Sequence, residues 1–165
     1  MEIGRSTPLG YRNGESSGIA VEPFEVPAGA PRFVREGAPG HTVGLMLVDR
    51  ETGGSCAYIP GCGELDGALL ERMAQADLVL FDGTFWTDDE LISLGIGDRR
   101  AREMDHQPIS GPSGTLSRLS RLTRPKKVYT HINNTNPILL EDSPERQIVE
   151  RAGLTVGADG MTFIV

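Results

Sequence analysis

The run DLVLFD at residues 77–82 limits most what this chain can fold into. Four consecutive apolar residues stand between two carboxylates. A run this short and this apolar reads as a buried strand. A carboxylate at the far end of such a strand is costly unless something satisfies it. Asp82 therefore calls for a metal, a histidine, or the backbone amides of the following Gly83-Thr84-Phe85-Trp86 turn.

The segments around this run alternate between strand and helix signals. Residues 19–26 alternate as a short strand, and residues 42–49 (TVGLMLVD) are a second. A turn-like stretch at 49–54 leads to a strand at 55–60, and the two should make a hairpin. Between the strands at 19–26 and 42–49, residues 27–40 carry three prolines and read as a loop. Leu65, Leu69, Leu70 and Met73 form a helical stripe. Thr87 is placed to cap a helix over 88–94, stopped by Gly95 and Gly97. Ser113 or Thr115 opens another helix, with Leu116, Leu119 and Leu122 on one face, ended by Pro125. Residues 128–132 make a strand. Ser143 followed by Pro144 starts a helix that runs to Ala152, with Gly153 as its stop. Residues 154–156 and 161–165 close the chain as strands. Residues 1–16 are polar and glycine-rich, and the expectation for 1–17 is a disordered or non-native segment. The order is α/β, with a mixed sheet and crossover helices.

Composition removes several function classes. The chain has 165 residues, which favours one domain, and a net charge of −7. Its only lysines are Lys126 and Lys127, and the arginine groups (99, 100, 102 and 118, 121, 124) are diluted by acids and apolar positions. No basic patch for nucleic acid is visible. No apolar run approaches the ~18 residues of a membrane helix, and the start has no apolar signal core. A cytoplasmic protein without membrane contact is the expectation. Cys56 and Cys62 are too few for a disulfide framework and read as reduced thiols in or near the core. Glycine-rich nucleotide loops and an HExxH helix are absent from the sequence.

Three histidines remain: His41, His106 and His131. His131 ends a strand and opens into INNTNP, the kind of place where α/β proteins put their sites. Asn133, Asn134, Thr135 and Asn136 either bind something or form an Asx-turn network that shapes the loop. His106 lies in an irregular segment, and its importance depends on proximity to His131 and Asp82. His41 receives no role. Glu141, Asp142 and Glu145 either support a cation from behind or are solvated acids at a helix start. Trp86 and Phe85 either line a pocket for an aromatic substrate or belong to the core. Together these residues suggest a metal or polar site without naming a reaction.

The segments FDGTFWTDDE (81–90), HQPISGP (106–112) and HINNTNPILLEDSPER (131–146) resemble the coenzyme PQQ synthesis protein B family. TVGLMLVD upstream and ADGM at 158–161 extend the resemblance over about residues 18–165. It implies the C-terminal half of a metallo-β-lactamase-like αββα fold, so that 18–165 form a half-domain whose missing partner sheet leaves an apolar face exposed. It implies a role in making pyrroloquinoline quinone (PQQ), which is built from a Glu and a Tyr of a small precursor peptide. The implied reaction is iron- and oxygen-dependent hydroxylation of the tyrosine, in the peptide or in its Glu-Tyr product. The alternative is a non-catalytic half-fold or carrier for transport of PQQ or its precursor to the periplasm. The implied cofactor is iron (Fe2+) or zinc. Implied partners are the peptide or small molecule, and either a second copy or a separate N-terminal half.

Carried over by residue, His131 and Asp82 fall at metal positions, and His106 and Asp82 at catalytic ones, as orienters or proton relays. Asn133, Asn134, Asn136 and Trp86 fall at the substrate or pocket. Two departures stand out. The family's first His/Asp ligand cluster has no counterpart here, and no bridging aspartate occurs at 60–63 (PGCG). The expected ligand count is therefore two, His131 and Asp82.

Overall fold

Seven strands form one mixed sheet in strict sequence order, in a computed structural model that describes residues 1–29 and 40–165. Strands β1 (Thr7–Gly10), β2 (Ser16–Glu25), β3 (Val43–Asp49) and β4 (Ser55–Ile59) pair antiparallel with one another in succession. Strands β5 (Leu78–Asp82), β6 (Lys126–Thr130) and β7 (Thr155–Val156) then add in parallel. The parallel steps are bridged by helices α1 (Gly67–Gln75), α2 (Glu90–Ser93), α3 (Thr115–Leu119) and α4 (Pro144–Arg151). This is the expected α/β class, and the 42–49 and 55–60 segments form the expected hairpin.

Sequential order has a consequence for layering. Each parallel crossover steps to the next strand in the same direction. Crossovers are almost always right-handed, so repeated steps in one direction put every helix on one face. The packing agrees: Leu69 and Met73 of α1, Leu119 of α3 and Val149 of α4 share one buried cluster with Ala57, Ile59, Val79, Phe81, Tyr129 and Val156. Ile59, Phe81, Tyr129 and Val156 lie side by side in register. On the opposite face the register aligns Leu45, Tyr58, Leu80 and Val128. Leu45, Tyr58 and Leu80 stand outside the helix-covered core. This second face is partly open: Leu45, Tyr58 and Leu80 are half-buried, whereas Val128 is buried.

Some local expectations change. Thr7–Gly10 is a strand rather than a disordered start, pairing Thr7 with Val21 and Pro8 with Ala20. Its exposure and Pro8 suit an edge strand, where one side of the ladder faces water, and the Ser17 hydroxyl donates to Leu9 O at 2.9 Å. α2 has four residues instead of seven, because Asp89 precedes it without a side-chain cap and Thr87 does not cap it. β7 is two residues long, and 161–165 form no strand. Ser143 caps α4 as expected, its hydroxyl accepting from Arg146 N at 3.0 Å. Asp66 caps α1, accepting from Leu69 N at 2.7 Å. Of the 27–40 loop, residues 30–39 lie outside the described residues. Both cysteines are free thiols; burial pushes the Cys56 thiol up to about 11 and raises that of the buried Cys62 as well. No helix among the described residues is long and apolar enough to cross a membrane.

Candidate metal centre

The carboxyl ends of β5 and β6 bring the first two residues together. Asp82 pairs with Thr130 in the parallel ladder, so His131 emerges beside Asp82. His131 takes a left-handed backbone, φ 52°, which turns the chain sharply at the strand end. Asp105, just before His106, does the same at φ 59°. These are the only two non-glycine residues with positive φ among those described, and both sit at this site.

His106 arrives by a different route. A short parallel bridge joins Cys62, beyond the end of β4, to His106. Gln107 N donates to Cys62 O at 2.8 Å. The buried Gln107 side chain accepts from Leu65 N at 2.7 Å and donates to Ser113 O at 2.9 Å. The loop carrying His106 is therefore fixed to the one that follows β4.

Asp82 is fully buried, and both carboxylate oxygens are occupied. Oδ1 accepts from the Thr84 amide at 3.1 Å and the Thr84 hydroxyl at 2.6 Å. Oδ2 accepts from the Cys62 amide at 3.1 Å and lies 2.8 Å from His106 Nδ1. His131 Nδ1 lies 3.8 Å from Oδ1 and 2.8 Å from Thr84 Oγ1. The two imidazoles stack with centroids 5.4 Å apart. Burial is the largest influence on Asp82 and opposes its charge, but His106, His131 and Thr84 outweigh it and hold the pKa below the usual carboxylate range. The partnership with Asp82 raises the His131 pKa against the opposing effect of burial.

Asp82, His106 and His131 each offer a ligand atom, and the three atoms lie within 4.8 Å of one another. His106 thus joins the two residues expected from the sequence, His131 and Asp82, as a third candidate ligand. Sequence spacing hid the third because a bridge between loops, not a regular element, delivers His106. One carboxylate and two imidazoles are a donor set that suits zinc or iron.

The asparagine loop does something other than expected. Asn136 is buried, and its amide donates to Gly83 O at 2.9 Å and Thr84 O at 3.3 Å, while its carbonyl accepts from Ile138 N at 3.1 Å. Asn133 N donates to Thr84 O at 3.1 Å. Thr135 donates to Glu90 Oε1 at 2.5 Å, and Glu90 Oε2 accepts from Trp86 N at 2.6 Å. Asn136 is thus a clamp on the turn after Asp82 and not a pocket residue, the Asx-turn reading of the loop. Asn134 is exposed, and Trp86 packs half-buried against the core. Glu141 and Asp142 are exposed acids. Thr84 and Glu90 are the residues the sequence reading passed over. For Thr84 a signal existed: a hydroxyl two residues after a carboxylate at a strand end is a common turn-former.

A seven-stranded mixed sheet with a histidine–aspartate centre at the strand ends fits the metallo-β-lactamase fold. The β-lactamase superfamily domain matches residues 1–132, and the chain belongs to that superfamily. Within it, the chain is 42% identical over 163 residues to coenzyme PQQ synthesis protein B of Gluconobacter oxydans, covering 98% of this chain and 53% of that protein. It is 48% identical over 148 residues to the protein of the same description from Pseudomonas putida, covering 88% of this chain and 49% of the relative. The crystal structure of Zn2+-bound PqqB from Methylobacterium extorquens superposes with a TM-score of 0.82 at 35% identity, over 100% of this chain and 51% of that one. Unliganded yeast PDE1, at 15% identity and TM-score 0.58 over 97% of this chain and 48% of its own, shares the fold. The chain spans about half the length of these relatives.

Proposed function

We propose that this chain acts in PQQ biosynthesis, and that its chemistry is the iron- and oxygen-dependent hydroxylation of the tyrosine in the precursor peptide or its Glu-Tyr product. The observation that carries the reading is the convergence of Asp82, His106 and His131 at the strand ends. The likeness to coenzyme PQQ synthesis protein B supports the pathway. Two imidazoles and a carboxylate are the donor set of non-haem iron oxygenases. Iron held there would supply oxygen activation, which no side chain provides. Balance requires dioxygen and a two-electron donor: one oxygen atom replaces a ring hydrogen as hydroxyl, and the other leaves as water.

The chain's own residues have definable tasks. His106 and His131 present nitrogen; Asp82 holds the His106 ring directly through Oδ2 and the His131 ring through the Thr84 hydroxyl on Oδ1. His106, with Nδ1 2.8 Å from a buried carboxylate, is held in one orientation by that contact. Partners of this kind are the peptide or the Glu-Tyr molecule, in a protein not expected to bind nucleic acid.

Deletion of the gene for this chain in its host tests the reading. PQQ measured by mass spectrometry should fall, and wild-type chain but not His131→Ala should restore it. Unchanged PQQ would contradict the pathway. PQQ that accumulates in the cytoplasm without reaching the periplasm would favour the carrier alternative over the enzyme.

A further inference from the structure

We infer that Thr84 is a positioning residue of the metal centre, its hydroxyl coupling Asp82 to His131 and setting which imidazole nitrogen faces the metal. The inference rests on the metal reading above. Thr84 is buried, and Oγ1 lies 2.6 Å from Asp82 Oδ1, 2.8 Å from His131 Nδ1, 2.9 Å from His131 O and 3.1 Å from His106 Nδ1.

A hydroxyl has one proton to donate and lone pairs with which to accept. A carboxylate and a carbonyl can only accept. The proton goes to Asp82 Oδ1, the nearer acceptor and the charged one. Oγ1 is then free to accept from His131 Nδ1–H. His106 Nδ1 is closer to Asp82 Oδ2, at 2.8 Å, and donates there. Both rings thus direct Nδ1–H inward, and a neutral ring with its proton on Nδ1 carries its lone pair on Nε2. A metal-binding histidine commonly donates its other ring N–H to a fixed acceptor in this way.

The distances show why the hydroxyl is needed. Asp82 Oδ1 is 3.8 Å from His131 Nδ1, too far for a direct hydrogen bond. His106 reaches the carboxylate itself, whereas His131 reaches it through Thr84. The His131 side chain is 51% exposed, so little else restrains it beyond its stacking on His106. Removal of the hydroxyl should leave Asp82 held by the Thr84 and Cys62 amides while His131 loses its anchor.

The test compares wild type with Thr84→Val and Thr84→Ser. Affinity for Zn2+ is read by competition with a chelating dye, and the His131 tautomer by long-range nitrogen–proton NMR of the metal-free protein. Thr84→Val should weaken Zn2+ binding about ten- to a hundred-fold, the usual effect of losing such a support. It should also convert His131 from the Nδ1–H tautomer to a mixture. Thr84→Ser should keep both properties. A folded Thr84→Val protein with wild-type affinity and tautomer would overturn the inference. If valine prevents folding, Thr84→Ala provides the same two readings. Wild type that binds no Zn2+ would defeat the metal reading instead, and the tautomer comparison would then decide the role of Thr84 alone.

Discussion

Asp82 is a carboxylate without solvent that nevertheless stays charged, because two amides, a hydroxyl and an imidazole converge on it. Against burial, His106 first and then His131 and Thr84 lower the Asp82 pKa, and Asp82 in turn raises that of His131. The resulting pH dependence has a definite sign. A raised histidine pKa contributes stability that is fully present below the unfolded value, near ~6.5, and is lost as pH rises through the folded value. A lowered carboxylate pKa contributes stability that disappears as pH falls through the folded value. In chelator-treated protein, the urea midpoint of wild type should exceed that of His131→Asn most clearly between these limits. The gap should shrink as pH rises above the ordinary histidine range. A gap that widens with rising pH would contradict the assignment.

At the scale of elements, two turns are fastened together: the one after β5, residues 83–86, and the asparagine loop after β6. Asn136 spans them, satisfying two carbonyls of the first turn and one amide of its own. Asn136→Ala leaves Gly83 O and Thr84 O without that donor inside the protein. The cost should be about 2 kcal/mol of unfolding free energy, from Gly83 O and Ile138 N losing their Asn136 partner, Thr84 O keeping the Asn133 amide. Zn2+ affinity should fall with it, because Asp82 and Thr84 lie in the turn that loosens. Denaturant titration and dye competition measure the two effects, and loss of neither would show that the clamp is idle. Gly83 is constrained from the other side: a Cβ there would meet the Tyr129 Cβ at 2.9 Å.

These elements also show what a reader of the sequence can and cannot see. The buried strand at 77–82, the Ser143–Pro144 helix start and the His131 strand end follow from local composition, because local chemistry decides them. His106 does not, since a bridge to Cys62 places it. The short first strand is not legible because its order comes from pairing with β2 and not from its own residues. Asn136 looked like a ligand-binding residue because a buried clamp and a pocket asparagine share the same letters.

For the whole molecule, one-directional crossovers leave a sheet with two unlike faces. Val79 and Leu80 are adjacent in β5 yet point to opposite sides, Val79 into the helix-covered core and Leu80 onto the open face. Val79→Lys buries an unpaired charge and should prevent folding. Leu80→Lys should leave a folded protein with Zn2+ binding close to wild type and weaker binding of a hydrophobic dye. Circular dichroism and dye fluorescence separate the two, and equal damage from both would mean that the open face is covered. The helix-covered face and the centre at the strand ends should suffice to bind a metal ion in this chain alone. The most direct measurement of that claim is Zn2+ bound per chain after equilibrium dialysis, for wild type, His106→Ala and His131→Ala. One ion per wild-type chain, with binding lost or strongly weakened in both variants, is the predicted result. No ion in wild type, or an ion retained by both variants, would contradict it.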